Sequence, residues 1–281
     1  MDLYIIRIIL LLSFTFAYAF FDVYNKRNIP SGFAYASLAL AIVFTLLYPV
    51  SIIVYSILVA AVVGIFCYLL YKTGMLGAGD GFELIFISLL IPIQPMPLIN
   101  VAQLNLPFIL SIFISTGIVT VVAVPVYYLI TAKERLHLQK ENLLKALTIF
   151  FAYLILLLFM IYLFGVRLLP MVIVLLLAFF STIIILFESS INIRMIEWIY
   201  PKSLDDGDII ALNLMSASDL SFFNKNYKDF GKLATASRIK GIRNLKRKIP
   251  VYKNAVPFSL FIFIGVLISL AIGNPLFAIF L

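Results

Sequence analysis

The chain has 281 residues, of which 64% are hydrophobic and 12% charged, with a formal net charge of +8. A soluble domain carries about 45–50% apolar and about 25% charged residues, so this composition belongs in a membrane and excludes a soluble enzyme and a disordered chain. One cysteine, Cys67, and one histidine, His137, exclude an intramolecular disulfide, multi-cysteine metal sites and histidine-based triads.

About 20 apolar residues in a helix cross a hydrocarbon core about 30 Å thick. Eight segments are candidates: Leu3–Phe21, Pro30–Leu47, Val50–Tyr71, Gly81–Ile93, which fades early, Leu106–Thr131, Leu147–Val166, Leu168–Phe187 and Val256–Leu281. Pro30 suits a first helical turn, and Pro125 implies a kink in the fifth segment. Cys67 sits inside the third and is expected to be a small core residue. Charged residues fill 132–146, and a polar segment occupies 188–255. Ala17-Tyr18-Ala19 resembles a signal-peptidase site, but Asp2 precedes the apolar run, Arg7 lies within it and no lysine leads it. The first segment is therefore expected to be a retained helix.

The basic residues orient the chain. With the N-terminus outside, Lys26, Arg27, Lys72, the 132–146 loop and the 188–255 segment all fall on the cytoplasmic side. Only Arg7 and Arg167 of the 21 basic residues then lie outside or near the outer face. The positive charge is thus a membrane-orientation signal, and no nucleic-acid partner is expected. The basic run from Arg238 to Lys248, just before the last segment, reads as a juxtamembrane anchor for anionic lipid. Asp205-Asp206-Gly207-Asp208 lacks the spacing of a calcium loop and is expected to form a turn before a strand, Ile209–Leu212.

Acidic residues are the rare ones, 13 in all. Asp22 ends the first segment and Asp80 opens the fourth, on the same side and at similar depth. Ionisable groups at membrane depth are costly and mark functional sites. Two carboxylates brought together share one proton: the ionised member serves as base for a water, and the protonated member polarises a carbonyl. Gly77, Gly79 and Gly81 surround Asp80, and without β-carbons the backbone there admits a neighbouring helix or an extended peptide.

Gly77-Ala78-Gly79-Asp80 matches the GxGD motif of membrane-embedded aspartyl proteases. Asp22, followed by Lys26-Arg27 and Ile29-Pro30, resembles the other aspartate motif of type IV prepilin peptidases. The 58-residue separation, a hairpin of two segments, also suits that family. The chain is most similar to the archaeal prepilin and preflagellin peptidases, specifically over about residues 14–95 and loosely elsewhere. The end of the chain, from Asn254-Ala255-Val256-Pro257-Phe258 onward, resembles theirs. The cysteine-rich zinc domain and methyltransferase activity of many bacterial members are not carried over to a chain with one cysteine. Compact members have six membrane helices, so 147–187 is an added hairpin.

The resemblance implies an all-α polytopic membrane protein of about eight transmembrane helices, a six-helix core plus that hairpin. Its expected parts are a catalytic membrane core 1–131, a cytoplasmic loop 132–146, the hairpin 147–187, a small cytoplasmic domain 188–255 and a last helix 256–281. It further implies an aspartic endopeptidase of the cell membrane that removes short basic leaders from pilin-like or flagellin-like precursors at the cytoplasmic face. Asp22 and Asp80 are the expected catalytic pair, with Gly77 and Gly79 in support and no cofactor or metal. Glu83, three residues after Asp80, shares its helical face and could bind a leader lysine or modulate the pair, although a charge at the helix start favoured by the dipole is the reading its position supports first. The rival reading is a small proton- or cation-coupled transporter, which leaves the glycine cluster and Ile29-Pro30 without a role.

Overall fold

The computed structural model describes residues 3–25, 28–98, 106–130, 140–166, 168–205, 207–226, 232–243, 247–253 and 256–275. Its helices run in chain order as α1 (Leu3–Tyr24), α2 (Ser31–Thr45), α3 (Val50–Lys72), α4 (Ala78–Leu90), α5 (Phe108–Ile130), α6 (Lys140–Phe164), α7 (Leu168–Leu186), α8 (Glu188–Met195), α9 (Ala217–Asn226), α10 (Ala236–Ile242) and α11 (Phe258–Ile272). Two short strands, β1 (Glu197–Ile199) and β2 (Ile249–Val251), flank α9 and α10 in sequence.

Helix lies in each of the eight expected segments. Among the described residues four helices, α1, α3, α5 and α6, are long and apolar enough to cross a membrane. A fifth span results if α7 and α8, bent by 72° at their junction, count as one. The outline is that of an all-α polytopic membrane protein, whereas α2, α4 and α11 are shorter, at 15, 13 and 15 residues. Each has a local reason to stop. Pro49 follows α2 closely, and Pro92 disfavours helix at Ile91 after α4. Gly273 takes φ +75° just after α11. Two boundaries differ from expectation in the other direction. Helix α1 continues past Phe21, so Asp22 lies in its last turn, and α6 starts at Lys140 with Glu141 in its first turn, inside the supposed loop. Helix α5 runs through Pro125 without a break.

Helix α4 is the centre of the bundle. Nine of its 13 residues are buried, including Leu84, Phe86, Ile87 and Leu90. Helices α1, α2 and α3 pack around it, and α5 and α11 touch it from the other side. Its contact with α3 is narrow because small residues meet there: a β-carbon on Gly81 would sit 3.3 Å from that of Cys67, which is buried as expected. The end of α4 is tied to α2 where the Tyr48 hydroxyl donates to the Leu90 carbonyl at 3.2 Å. Arg7 is buried at the same end. Its guanidinium stacks 3.3 Å from the centre of the Tyr48 ring and donates to the Phe44 carbonyl at 2.8 Å.

Helices α5 and α11 cross closely. A β-carbon on Gly265 would stand 3.0 Å from the Thr116 amide nitrogen and 3.2 Å from the Ile112 oxygen, so only glycine permits this approach. The α6–α7 hairpin packs outside, through α7 against α5.

Within the polar segment a second core forms from Leu204, Ile210, Met215, Phe223, Ala234, Ile242, Ile249 and Val251, while α8 packs on α5 and α7. Strands β1 and β2 pair antiparallel, with Trp198 opposite Pro250. The expected strand after the acidic turn is shorter than anticipated. Ile209 and Ile210 form single bridges to Leu233 and Val251, and a 3-10 turn follows at Leu212–Leu214. In the turn, Gly207 takes φ +94° and Asp208 accepts the Asp205 amide at 2.8 Å. Lys253 reaches Asp205 and Asp208 at 3.0 and 3.2 Å. Burial nevertheless pushes the Asp208 carboxyl up from its ordinary range. Asp206, Lys246 and His137 lie outside the described residues.

Candidate active site

Asp80 is the third residue of α4, and its position follows from local geometry. Gly77 precedes the helix in extended conformation, and its amide donates to Asp80 Oδ2 at 3.2 Å, folding the carboxyl back over the helix start. A β-carbon on Gly77 would fall 2.8 Å from that same oxygen. Glycine at this position leaves room for the carboxyl it binds.

Gly79 serves a different contact. A β-carbon there would lie 2.9 Å from Ile29 Cβ and 3.1 Å from Ile29 Cγ1. The space in front of Gly79 is thus occupied by the α1–α2 connection, so of the two approaches glycine permits, the neighbouring segment takes it here. Ile29 closes against the start of α4, one residue before Asp80. Lys26 and Arg27 of the same motif lie outside the described residues.

Asp22, in the last turn of α1, and Asp80 are both buried. They meet at one residue of a third helix. The Ser259 amide donates to Asp22 Oδ2 at 3.0 Å, and the Ser259 hydroxyl donates to Asp80 Oδ1 at 2.8 Å. Ser259 is the second residue of α11, where amides have no partner within the helix. The positive end of the helix dipole faces the two carboxyls. Asp22 and Asp80 are near enough to feel each other's charge.

Glu83 joins them one turn along α4. It is completely buried and lies within electrostatic range of both aspartates; the Ser259 hydroxyl is close enough to interact with it, but among the described residues neither of its oxygens is in full hydrogen-bonding geometry. Nearby, the Tyr18 hydroxyl and Ser37 Oγ are 2.7 Å apart, joining α1 to α2. Tyr18 and Ala19, from the segment that resembles a cleavage site, are core residues of α1.

The structure therefore brings together Asp22, Asp80, Gly77, Gly79 and Glu83, and it adds Ser259. Sequence reasoning missed Ser259. Its one available signal was a serine just after Pro257-Phe258, where a proline opens a helix, and nothing in that pattern names its partners. Among the described residues no group of three or more His, Cys, Asp or Glu side chains is arranged to hold a metal ion. Chemically, the arrangement offers two carboxyls that accept from one serine of a third helix and lie within electrostatic range of each other.

A family model described as type IV leader peptidase matches residues 9–131, which take in most of α1 and all of α2 to α5. No curated protein and no solved structure matches the chain.

Proposed function

We propose, from the premise that residues 9–131 belong to the type IV leader peptidase family, that the chain is an aspartic endopeptidase with Asp22 and Asp80 as its catalytic pair. The family indicates a protease acting on pilin-like precursors. The observation that carries the aspartic reading is the meeting of both carboxyls at Ser259 inside a membrane bundle. The ionised carboxyl takes a proton from water as the water oxygen attacks the scissile carbonyl carbon. The protonated carboxyl hydrogen-bonds the carbonyl oxygen and then supplies the proton that the leaving amine needs.

The substrates we propose are flagellin-like and pilin-like precursors of the archaeal kind, each with a short basic leader before an apolar helix. That helix lies in the bilayer beside the bundle while the leader stays in the cytoplasm, which brings the scissile bond to the depth of the aspartates. The proposed topology has all eight apolar helices embedded in the cell membrane. The 188–255 segment and the dyad then face the cytoplasm, as the distribution of lysine and arginine supports. Glu83 was open to three readings: leader capture, modulation of the pair and a charge at the helix start favoured by the dipole. Its complete burial favours modulation of the pair over direct capture of a leader lysine.

Co-expression of the chain with candidate precursors tests the reading, with leader loss read by mass. Loss of a leader of defined length from at least one precursor is expected. An unchanged mass for every precursor, with the peptidase inserted and folded, would overturn it. Reporters fused after Lys72 and within residues 94–105 are expected to read cytoplasmic and external, and the reverse would overturn the orientation.

A further inference from the structure

We infer that Ser259 is the positioning residue of the aspartate pair: it sets the distance and orientation of Asp22 and Asp80 with one amide and one hydroxyl. The inference rests on the proteolytic reading above and names a third member of that site.

Three observations carry it. First, Ser259 binds both carboxyls at once, at 3.0 Å through its amide and 2.8 Å through its hydroxyl, and is itself completely buried. Two donors on one residue are only three bonds apart, and once χ1 sits in one staggered well their spacing is set. They therefore hold the two acceptors at a defined spacing, which neither α1 nor α4 does alone.

Second, the mount is rigid. Helix α11 is locked to α5 at the Gly265 crossing, and Ser115 Oγ and Ser269 Oγ lie 2.9 Å apart in the same interface. Helix α11 also packs directly on α1, the helix that carries Asp22. The serine is thus presented by an element whose own position is fixed by two neighbours.

Third, Asp80 is held from both sides. The Gly77 amide takes Oδ2 and the Ser259 hydroxyl takes Oδ1, so the carboxyl plane has no freedom to rotate while both bonds persist. Removing the hydroxyl frees one oxygen. A buried carboxyl with one donor left can turn away from Asp22, and misplacement of a catalytic group on that scale costs rate even when substrate still binds.

The test uses the full-length protein in lipid vesicles and compares Ser259→Ala, which keeps the amide and loses the hydroxyl, with Ser259→Thr, which keeps both. For Ser259→Ala the expected result is a fall in kcat of roughly 10- to 100-fold, the scale of one lost hydrogen bond to a charged group. KM should stay within a few-fold, and activity is normalised to the folded fraction. Ser259→Thr recovers most of kcat. A wild-type kcat in Ser259→Ala, or a loss that appears only in KM, overturns the inference.

A second measurement does not depend on any substrate. Melting temperatures of Ser259→Ala, Asp80→Ala and the double variant are expected to be non-additive, with the double variant losing less than the two single losses together, because both single changes break the same bond. Strict additivity overturns the inference even if no precursor is ever cleaved. Absence of cleavage by the unaltered chain would remove the proteolytic reading and leave this thermal cycle to decide the pairing of Ser259 with Asp80.

Discussion

Helices α4 and α6 are both apolar, yet they occupy opposite extremes of the molecule. Helix α4 has 13 residues, nine of them buried, and it carries Asp80, Glu83 and three glycines at or beside its start. Helix α6 has 25 residues, most of them exposed. Hydropathy alone ranks α6 as the better membrane helix. The difference teaches that apolarity marks contact with lipid, whereas polar and small residues on a short apolar helix mark the interior of a bundle. Lipid is as apolar as leucine, so nothing drives a leucine-rich face inward. A buried carboxyl stays in place only where other protein groups surround it.

The largest expected effects test the interior end of that contrast. Asp22→Asn and Asp80→Asn are each expected to lower leader cleavage by at least about 10²- to 10⁴-fold, the scale of a lost general acid or base. Asparagine keeps the size and one acceptor oxygen, so melting temperature and membrane insertion should be little changed. Cleavage near the unaltered rate in either variant would remove that residue from the pair.

Next come changes that disturb packing around α4. Phe86 is fully enclosed, so Phe86→Ala is expected to cost about 3–5 kcal/mol of stability, read as a lowered midpoint of unfolding. Gly79→Ala forces a methyl onto Ile29 and is expected to cost about 1–3 kcal/mol, as overpacking does, with Gly79→Val worse. Activity should fall along with stability, because Ile29 closes against the start of α4 one residue before Asp80. Ile29→Ala added to Gly79→Ala should restore part of both. Cleavage that collapses in Gly79→Ala at an unchanged melting temperature, with no rescue by Ile29→Ala, would instead make Gly79 a contact for substrate.

The site divides by how its parts are encoded. Asp22 and Asp80 stood out in the sequence because acidic residues are scarce there and each sits at a segment end, and Gly77-Ala78-Gly79 marked the second. Their meeting at Ser259 could not be read, since 237 and 179 residues separate that serine from its two acceptors. A serine at the start of an apolar helix has no local signature, and its meaning comes from which helices pack together. The purpose of Gly79 was half legible. The absence of a β-carbon signalled close approach, but only the fold shows that Ile29 approaches. Segment positions followed well from hydropathy, while lengths did not. Lys140, Glu141 and Lys145 are good helix formers despite their charge, as are Leu143 and Leu144, and Pro92 ended α4 early. The second core lies in a stretch that was legible only as a polar segment. It draws single apolar residues from many turns, with no periodicity to reveal them.

A smaller effect is expected at Glu83. Glu83→Gln keeps the shape and removes the charge that the buried carboxyl can carry, so cleavage should change by about 10-fold or less, within a shift of about one pKa unit in the neighbouring pair. The pH–rate profile should move along the pH axis more than it changes in height. A fall in cleavage as deep as that of Asp80→Asn would make Glu83 a third reacting group. A large rise in KM specific to precursors with lysine in the leader would restore a recognition role.

The smallest effects are expected on α6. Leu158 and Tyr162 are 65% and 85% exposed on that helix. Facing lipid, Leu158→Ala and Tyr162→Ala exchange one apolar contact for another, because hydrocarbon closes over the shortened side chain and no cavity persists. Melting temperature should then correspond to less than about 0.5 kcal/mol, the usual range for a surface change, and leader cleavage should be unaltered. The same truncation at Phe86, enclosed on all sides, has no fluid to fill the space it leaves. Matched measurements on the two helices therefore give the contrast a number. A loss of several kcal/mol at Leu158 would mean that protein, not lipid, covers this face of α6. Size determination in detergent at several protein concentrations would then show whether a second copy supplies that cover. A stable dimer weakened by Leu158→Ala would turn the α6–α7 hairpin from an outer wall into an interface.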